Sequence, residues 1–207
     1  MDALSVVKGL SKAYSLHKTA LAYRNEWQLL VAIILSAQCT DERVNKTTPA
    51  LFKELPRIED FVSVPQGKLE KLIYSTGFYK SKAKSIKNAA KKIMNGFGGK
   101  LPSTMEELVT IPGVGRKTAN VFLQVVHEKA EGVVVDTHIF RVSRRTGVSN
   151  GKTAEKVEED VMQQLPSKYW IAYGDLVIQH GRKICHARKP DCAACVLTLK
   201  CPSAFKV

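Results

Sequence analysis

Residues 101–127, LPSTMEELVTIPGVGRKTANVFLQVVH, restrict the fold more than any other stretch, because two helical segments meet there in a turn too tight for ordinary residues. Ser103 and Glu106 have the S-x-x-E spacing of a capping box, which predicts a helix starting near Thr104 and carrying Met105, Leu108 and Val109 inward. Pro112, which lacks an N–H, stops that helix. Gly113 and Gly115 bracket Val114 and suit a reversal in a few residues, since glycine accepts positive φ and leaves backbone N–H groups uncovered. A second helix comes at once, with Ala119, Phe122, Leu123 and Val126 on one face of a 3.6-residue period.

The turn so described places the amides of Gly113, Val114 and Gly115 at the positive end of a helix, with Arg116 and Lys117 beside them. That is a seat for a phosphate oxygen, and a contact of this kind fixes position without reading sequence. A plain helical hairpin, whose glycines only permit the turn, is the competing explanation. The run IPGVGRKTA, from Ile111 to Ala119, resembles the helix-hairpin-helix motif of non-specific DNA binders, which favours DNA. Charge points the same way: Lys and Arg outnumber Asp and Glu by 32 to 19, a formal +13, which calls for a polyanionic partner without choosing between nucleic acid and an acidic membrane. The longest apolar run, Leu29 to Leu35, falls far short of the ~20 residues that span a bilayer. The N-terminus, MDALSVVKGLSK, lacks a basic start and has Lys8 within its apolar stretch, so no secretory signal is evident. A cytoplasmic protein with reduced thiols and no membrane association is expected.

At 207 residues and 44% hydrophobic, the chain can bury a sizeable core in one domain or two small ones. Residues 2–16 predict a short amphipathic helix through Leu4, Val7, Leu10 and Tyr14. Residues 26–38, EWQLLVAIILSAQ, are apolar on nearly every side, the mark of a helix buried in the middle of its domain. Thr40 or Asp41 caps the next helix, which Pro49 is expected to interrupt. Phe61, Val64, Leu69, Leu72 and Ile73 fit two further short helices, the second closed by Gly77. Residues 80–100 hold seven lysines and no acid, yet Ala83, Ile86, Ala90 and Ile93 keep one apolar face, so most of the lysines should lie outside. The sequence GFGG, 96–99, reads as a connector. Val133 to Val135 form a short extended run, after which Asp136, Thr137 and His138 open a helix that ends at Gly147. Residues 153–165 and 167–184 complete the set, and no alternating pattern lasts long enough to build a sheet. The architecture should be all-α.

Four of the five cysteines, Cys185, Cys192, Cys195 and Cys201, crowd the tail with the spacing C-x6-C-x2-C-x5-C. Four thiolates at such intervals can converge on one centre, and both structural zinc and a [4Fe-4S] cluster accept four cysteines, so spacing alone does not separate them. Two disulfides are the bland alternative, at odds with a reducing compartment. Zinc ribbons more often carry two C-x2-C knuckles, and here only Cys192 and Cys195 form one. Cys39 reads as a small buried side chain.

The runs IPGVGRKTANV and VDTHIFRVSRR and the four-cysteine tail, in this order, resemble the endonuclease III family of DNA base-excision glycosylases with associated lyase activity, over about residues 20–202. The resemblance implies a helix-hairpin-helix DNA glycosylase fold of two helical domains with a cleft between them for damaged or abasic double-stranded DNA. One domain would be a six-helix block over residues 20–130. The other, residues 1–19 plus 131–207, would hold a [4Fe-4S] cluster on the four cysteines. By the same resemblance Lys117 is the nucleophile and Asp136 the catalytic carboxylate, and the chemistry suits them. A neutral lysine amine can attack C1′, displace the base and leave a Schiff base from which β-elimination breaks the strand, while a carboxylate steadies positive charge growing on the sugar. The plainer readings are a phosphate-binding Lys117 and an Asp136 that merely caps a helix. An enzyme acting on a base must swing it out of the stack, and the resemblance places Gln38 and Phe78 at the positions that fill the gap. Phe78 departs from the leucine familiar there, and it could equally serve as core. The basic loop HARKPD, residues 186–191, resembles the family's second DNA contact, with Arg188 and Lys189 on phosphates.

These readings point to a monomeric bifunctional glycosylase and AP lyase for oxidised pyrimidines. Two rivals are a monofunctional adenine- or thymine-mismatch glycosylase, in which water attacks, and a non-catalytic iron-sulfur DNA-binding protein. Lysine at 117, where the mismatch enzymes usually carry serine or tyrosine, argues against the first. Asp136, which DNA binding alone does not require, argues against the second.

Overall fold

The computed structural model describes residues 1–16 and 19–206, and those residues contain helices and connections with no strand. In chain order the α-helices are α1 (Ala3–Leu10), α2 (Glu26–Ser36), α3 (Asp41–Glu54), α4 (Ile58–Ser63), α5 (Gln66–Ile73), α6 (Tyr79–Phe97), α7 (Met105–Leu108), α8 (Arg116–His127), α9 (Thr137–Thr146), α10 (Ala154–Gln164) and α11 (Trp170–Lys183). Short 3-10 turns cover Tyr74–Thr76, Ser167–Tyr169 and Thr198–Lys200. The chain divides into two compact units, Thr19–Lys129 and Met1–Lys18 with Ala130–Val207. None of these helices is long and apolar enough to cross a membrane.

In the unit of residues 19–129, α2 is the central rod. Asn25 caps it, its side chain accepting from the Gln28 N–H at 2.9 Å, and every residue from Trp27 to Leu35 is buried, as a helix apolar on all sides requires. Helices α3, α6 and α8 pack on it, and Trp27 meets Phe61 edge-on with centroids 5.2 Å apart. Thr40, rather than Asp41, caps α3. Pro49 does not interrupt that helix, which runs unbroken from Asp41 to Glu54. The missing N–H and the ring's crowding of the turn before it oppose such a helix, but the buried face of Val44, Thr47, Thr48 and Leu51 holds both halves in line. Helix α6 keeps Ala83, Ile86, Ala90 and Ile93 inward as its period dictates, and it continues through Gly96 and Phe97, so the connector begins only at Gly98.

The helix before the tight turn is shorter than expected and its cap lies one residue later. Thr104, not Ser103, accepts the N–H of Glu107, and its hydroxyl also meets the Glu107 carboxylate at 3.0 Å. Val109 lies beyond the end of this single turn and is 44% exposed instead of facing the core.

In the other unit, α1 is capped by Asp2, and it is shorter than the expected span, ending at Leu10. It buries Ala3, Val6, Val7 and Leu10 in a core shared with Ile139, Val142, Val157, Val161, Tyr173 and Val177. The N-terminal amine donates to the Thr146 carbonyl at 3.0 Å, so the first residues of the chain are fastened to α9. Tyr173 is fully buried and its hydroxyl is satisfied by Ser143 at 2.7 Å.

The displaced cap is open to test. Thr104→Ala should lower the unfolding free energy by about 0.5–2 kcal/mol, whereas Ser103→Ala should stay within about 0.5 kcal/mol of the parent in urea or thermal unfolding.

Candidate nucleic-acid interface and cysteine pocket

In the hairpin only Gly113 takes a positive φ, 82°. A Cβ there would lie 2.6 Å from Ser85 Cβ on α6, so the turn is seated flush against that helix. Gly115 differs. Its φ of −84° suits any residue, and a Cβ on it would meet nothing within 4 Å. It is the N-cap of α8 and supplies no side-chain oxygen, so the N–H groups of the first turn lack the usual protein partner at the positive end of the dipole. Val114 departs from the expectation of an uncovered amide. Its N–H closes the turn on the Ile111 carbonyl at 3.0 Å and its side chain is buried, so it pins the hairpin to the core. Arg116 and Lys117 come next, in the first turn of α8, both exposed.

Gln38 and Phe78 lie in the same unit, each at a chain reversal, the first after α2 and the second before α6. Both are exposed, Phe78 by 66%, so Phe78 is not core. Both also occupy the left-handed region, with φ of 53° and 47°, which a side chain larger than glycine adopts only under constraint. The neighbouring Lys82 is an exception to the solvated lysines of its helix. It is 6% exposed, and its ammonium donates to the carbonyls of Leu35 and Thr76, each at 2.8 Å. Burial pushes its pKa below the ordinary lysine value, with the nearby Cys39 thiol opposing. Sequence reasoning missed this lysine although the signal is there, since Lys82 falls in phase with Ile86, Ala89 and Ile93 on the apolar stripe.

In the other unit Asp136 is half-buried and caps α9, with Oδ1 accepting the N–H groups of His138 at 2.9 Å and Ile139 at 2.8 Å. One carboxylate oxygen thus fixes the group while Oδ2 is not used in the cap. Arg188 and Lys189 are exposed in their loop, Lys189 with a φ of 51°. Two arginines of α9, which sequence reasoning also missed, hold the base of this loop. Arg141 donates to the carbonyls of Cys185 and Gly181, each at 3.0 Å, and Arg145 reaches those of His186 at 2.6 Å and Ala187 at 2.9 Å. Their spacing of four puts both on one face of α9.

Cys185, Cys192, Cys195 and Cys201 line one pocket, and all are half-buried and unpaired by disulfides. Three of the sulfurs face N–H donors at 3.4 Å, Cys185 from Arg145, Cys192 from Phe205 and Cys195 from Leu197. Burial pushes the Cys195 thiol up, and the Leu197 N–H opposes that shift. Cys195 also lies 3.5 Å from Nε2 of His180, whose Nδ1 meets the Tyr14 hydroxyl at 3.1 Å. Burial pushes the His180 pKa down to about 4, which favours the neutral imidazole.

Described residues whose regular structure is helical throughout, this glycine hairpin, an acid capping α9 and a four-thiol pocket together define the class. The chain belongs to the HhH-GPD superfamily of base excision DNA repair proteins, whose family model matches residues 31–167. Among its relatives is the endonuclease III of Synechocystis sp., 46% identical over 202 residues, which are 98% of this chain and 92% of that protein. The endonuclease III of Bacillus subtilis is 42% identical over 90% of this chain and 85% of its own length. A solved structure of a trapped endonuclease III–DNA covalent intermediate superposes with a TM-score of 0.90 at 34% identity, covering 100% of this chain and 98% of that one.

The two hairpin glycines should respond differently to a methyl group. Gly113→Ala forces both a positive φ and the contact with Ser85, and should cost about 1–3 kcal/mol of stability. Gly115→Ala should cost less than about 1 kcal/mol in the same unfolding experiment.

Proposed function

We propose that this protein is a bifunctional DNA glycosylase and AP lyase that removes oxidised pyrimidines from double-stranded DNA in base excision repair. The single observation that carries the lyase half is a lysine at position 117, exposed in the first turn of α8 directly behind an N-cap with no capping side chain. A relative of the same fold has been caught in a covalent intermediate with DNA, and such an intermediate needs a nucleophile.

In this reading the neutral Lys117 amine forms a bond to C1′ as the glycosidic bond breaks and the base departs with a proton. The sugar ring then opens to a protonated Schiff base, and loss of a C2′ proton expels the 3′ phosphate. To Asp136 we assign the steadying of positive charge on the sugar and the relay of protons. Its role as the α9 cap supports this assignment, because two backbone N–H groups hold Oδ1 and leave Oδ2 for chemistry. The amides around Gly113, Gly115 and Arg116 seat a phosphate at the α8 dipole, with Val114 holding the turn in place. Arg188 and Lys189 take a second stretch of backbone. Gln38 and Phe78 fill the space left by the extruded nucleotide. The location matches the substrate, in the cytoplasm at the DNA.

The four cysteines suit a [4Fe-4S] cluster. They line one pocket, and Cys185, Cys192 and Cys195 accept N–H donors at sulfur. When bound, a cluster on these thiolates would fasten the tail beside the Arg188 loop, whose base Arg145 already holds.

Borohydride added to the protein with an abasic duplex should trap a covalent complex, and Lys117→Ala should abolish it; base release with no trapping would leave a monofunctional enzyme. Asp136→Asn keeps a competent cap and should lower base release about 10²–10⁴-fold. Gly115→Ala should weaken duplex binding by about 1.5–3 kcal/mol through a displaced phosphate contact. Purified protein should contain iron rather than zinc and absorb near ~400 nm; a colourless zinc protein would refute the cluster.

A further inference from the structure

Lys82 has an environment that core packing does not explain. It sits on the apolar stripe of α6 in phase with Ile86, Ala89 and Ile93, where a leucine or methionine would fill the same volume without burying a charge. Its ammonium instead lies between two carbonyls from distant parts of the chain, Leu35 in the last turn of α2 and Thr76 at the end of the 3-10 turn Tyr74–Thr76. Both are helix C-terminal carbonyls, which lack onward partners and carry the negative end of the local dipoles. The Cys39 N–H that would continue α2 onto Leu35 bonds to Ser36 instead, leaving the Leu35 oxygen to the lysine.

The residues just past each carbonyl give the arrangement its meaning. Three residues past Leu35 the chain reaches Gln38, and two past Thr76 it reaches Phe78. Both are exposed and both are left-handed at φ near 50°. A single ammonium spans the two oxygens, so the roots of both reversals are held at a fixed separation. On the other side Ser75 bonds to Thr47 of α3 at 2.7 Å, which fastens the Phe78 reversal at a second point.

We propose that Lys82 is a positioning residue that buckles the two reversals together, so that Gln38 and Phe78 enter the DNA stack as one preset pair. The proposal rests on the reading of those two side chains as gap fillers. Without the buckle each reversal would have to be ordered separately as the nucleotide swings out, and part of the binding energy would go to ordering protein. The chemistry at the sugar would be untouched.

The test uses the full-length protein under single-turnover conditions on two substrates: an abasic site in a fully paired duplex, and the same site in a one-nucleotide bulge. In the bulge no base stands opposite and the flanking pairs can stack on each other, so no gap needs filling. Lys82→Met, Gln38→Ala and Phe78→Ala should each lower strand cleavage on the duplex by about tenfold or more and on the bulge by less than about threefold. Lys82→Arg, which retains charge and donors, should recover most of the duplex rate. If the two alanine variants lose duplex selectivity but Lys82→Met does not, the buckle is wrong and gap filling stands. If none of the three does, the gap-filling reading falls and the buckle falls with it. Equal loss on both substrates in Lys82→Met makes the residue merely structural and overturns the proposal. Should Lys82→Met fail to fold in a thermal melt, Lys82→Arg decides: a duplex-to-bulge ratio within about threefold of the parent supports the buckle, and a fall as large as that of Gln38→Ala overturns it.

Discussion

Gly113 lies so close to the Ser85 side chain that no Cβ can come between them, and the hairpin is therefore set directly on Ser85 of α6. That contact fixes where α8 begins. Val114, buried with its N–H turned in, completes the seat, and the chain emerges at Gly115 with open space in front of it and the first-turn amides of α8 uncapped. Lys117 stands in that first turn, on a helix whose other face buries Ala119, Phe122 and Leu123. The amine is thus carried by a rigid element whose start is determined to within the size of one methyl group, which is the precision a nucleophile needs.

The same economy recurs elsewhere, in that groups assigned to chemistry or to DNA are fixed by backbone hydrogen bonds rather than by other side chains. Asp136 is held by two N–H groups of the helix it caps. Arg145 holds the loop of Arg188 and Lys189 through the carbonyls of His186 and Ala187, and donates to the Cys185 sulfur as well. Lys82 grips two carbonyls. Backbone partners of this kind do not depend on a second residue's rotamer.

Much of this is legible in the residues. The rod α2 comes from an apolar run with no polar face, and α9 from an acid ahead of a 3.6-residue period ending at Gly147. The cap of α7 is not legible, because Ser103 and Thr104 each precede a glutamate by three residues and local spacing cannot choose between them; the structure uses Thr104. Pro49 reads as a break because local sterics oppose a helix there, and tertiary packing of the α3 face prevails. Glycine spacing shows that the hairpin turns tightly but not which glycine needs the positive φ, since that depends on Ser85 about thirty residues earlier. Arg141, Arg145 and Lys82 act on partners 40 to 47 residues away, apart from the nearby Thr76, and no local pattern encodes such contacts. The left-handed backbone at Gln38 and Phe78 carries no residue signature either, because neither is a glycine or an asparagine.

The central claim is that the amine presented by the α8 hairpin is the one that bonds to DNA. Tandem mass spectrometry of peptides from the reduced protein–DNA adduct tests it most directly. The expected result is a single modified peptide with the deoxyribose remnant on Lys117. A remnant on another lysine, or on the N-terminal amine, would contradict it.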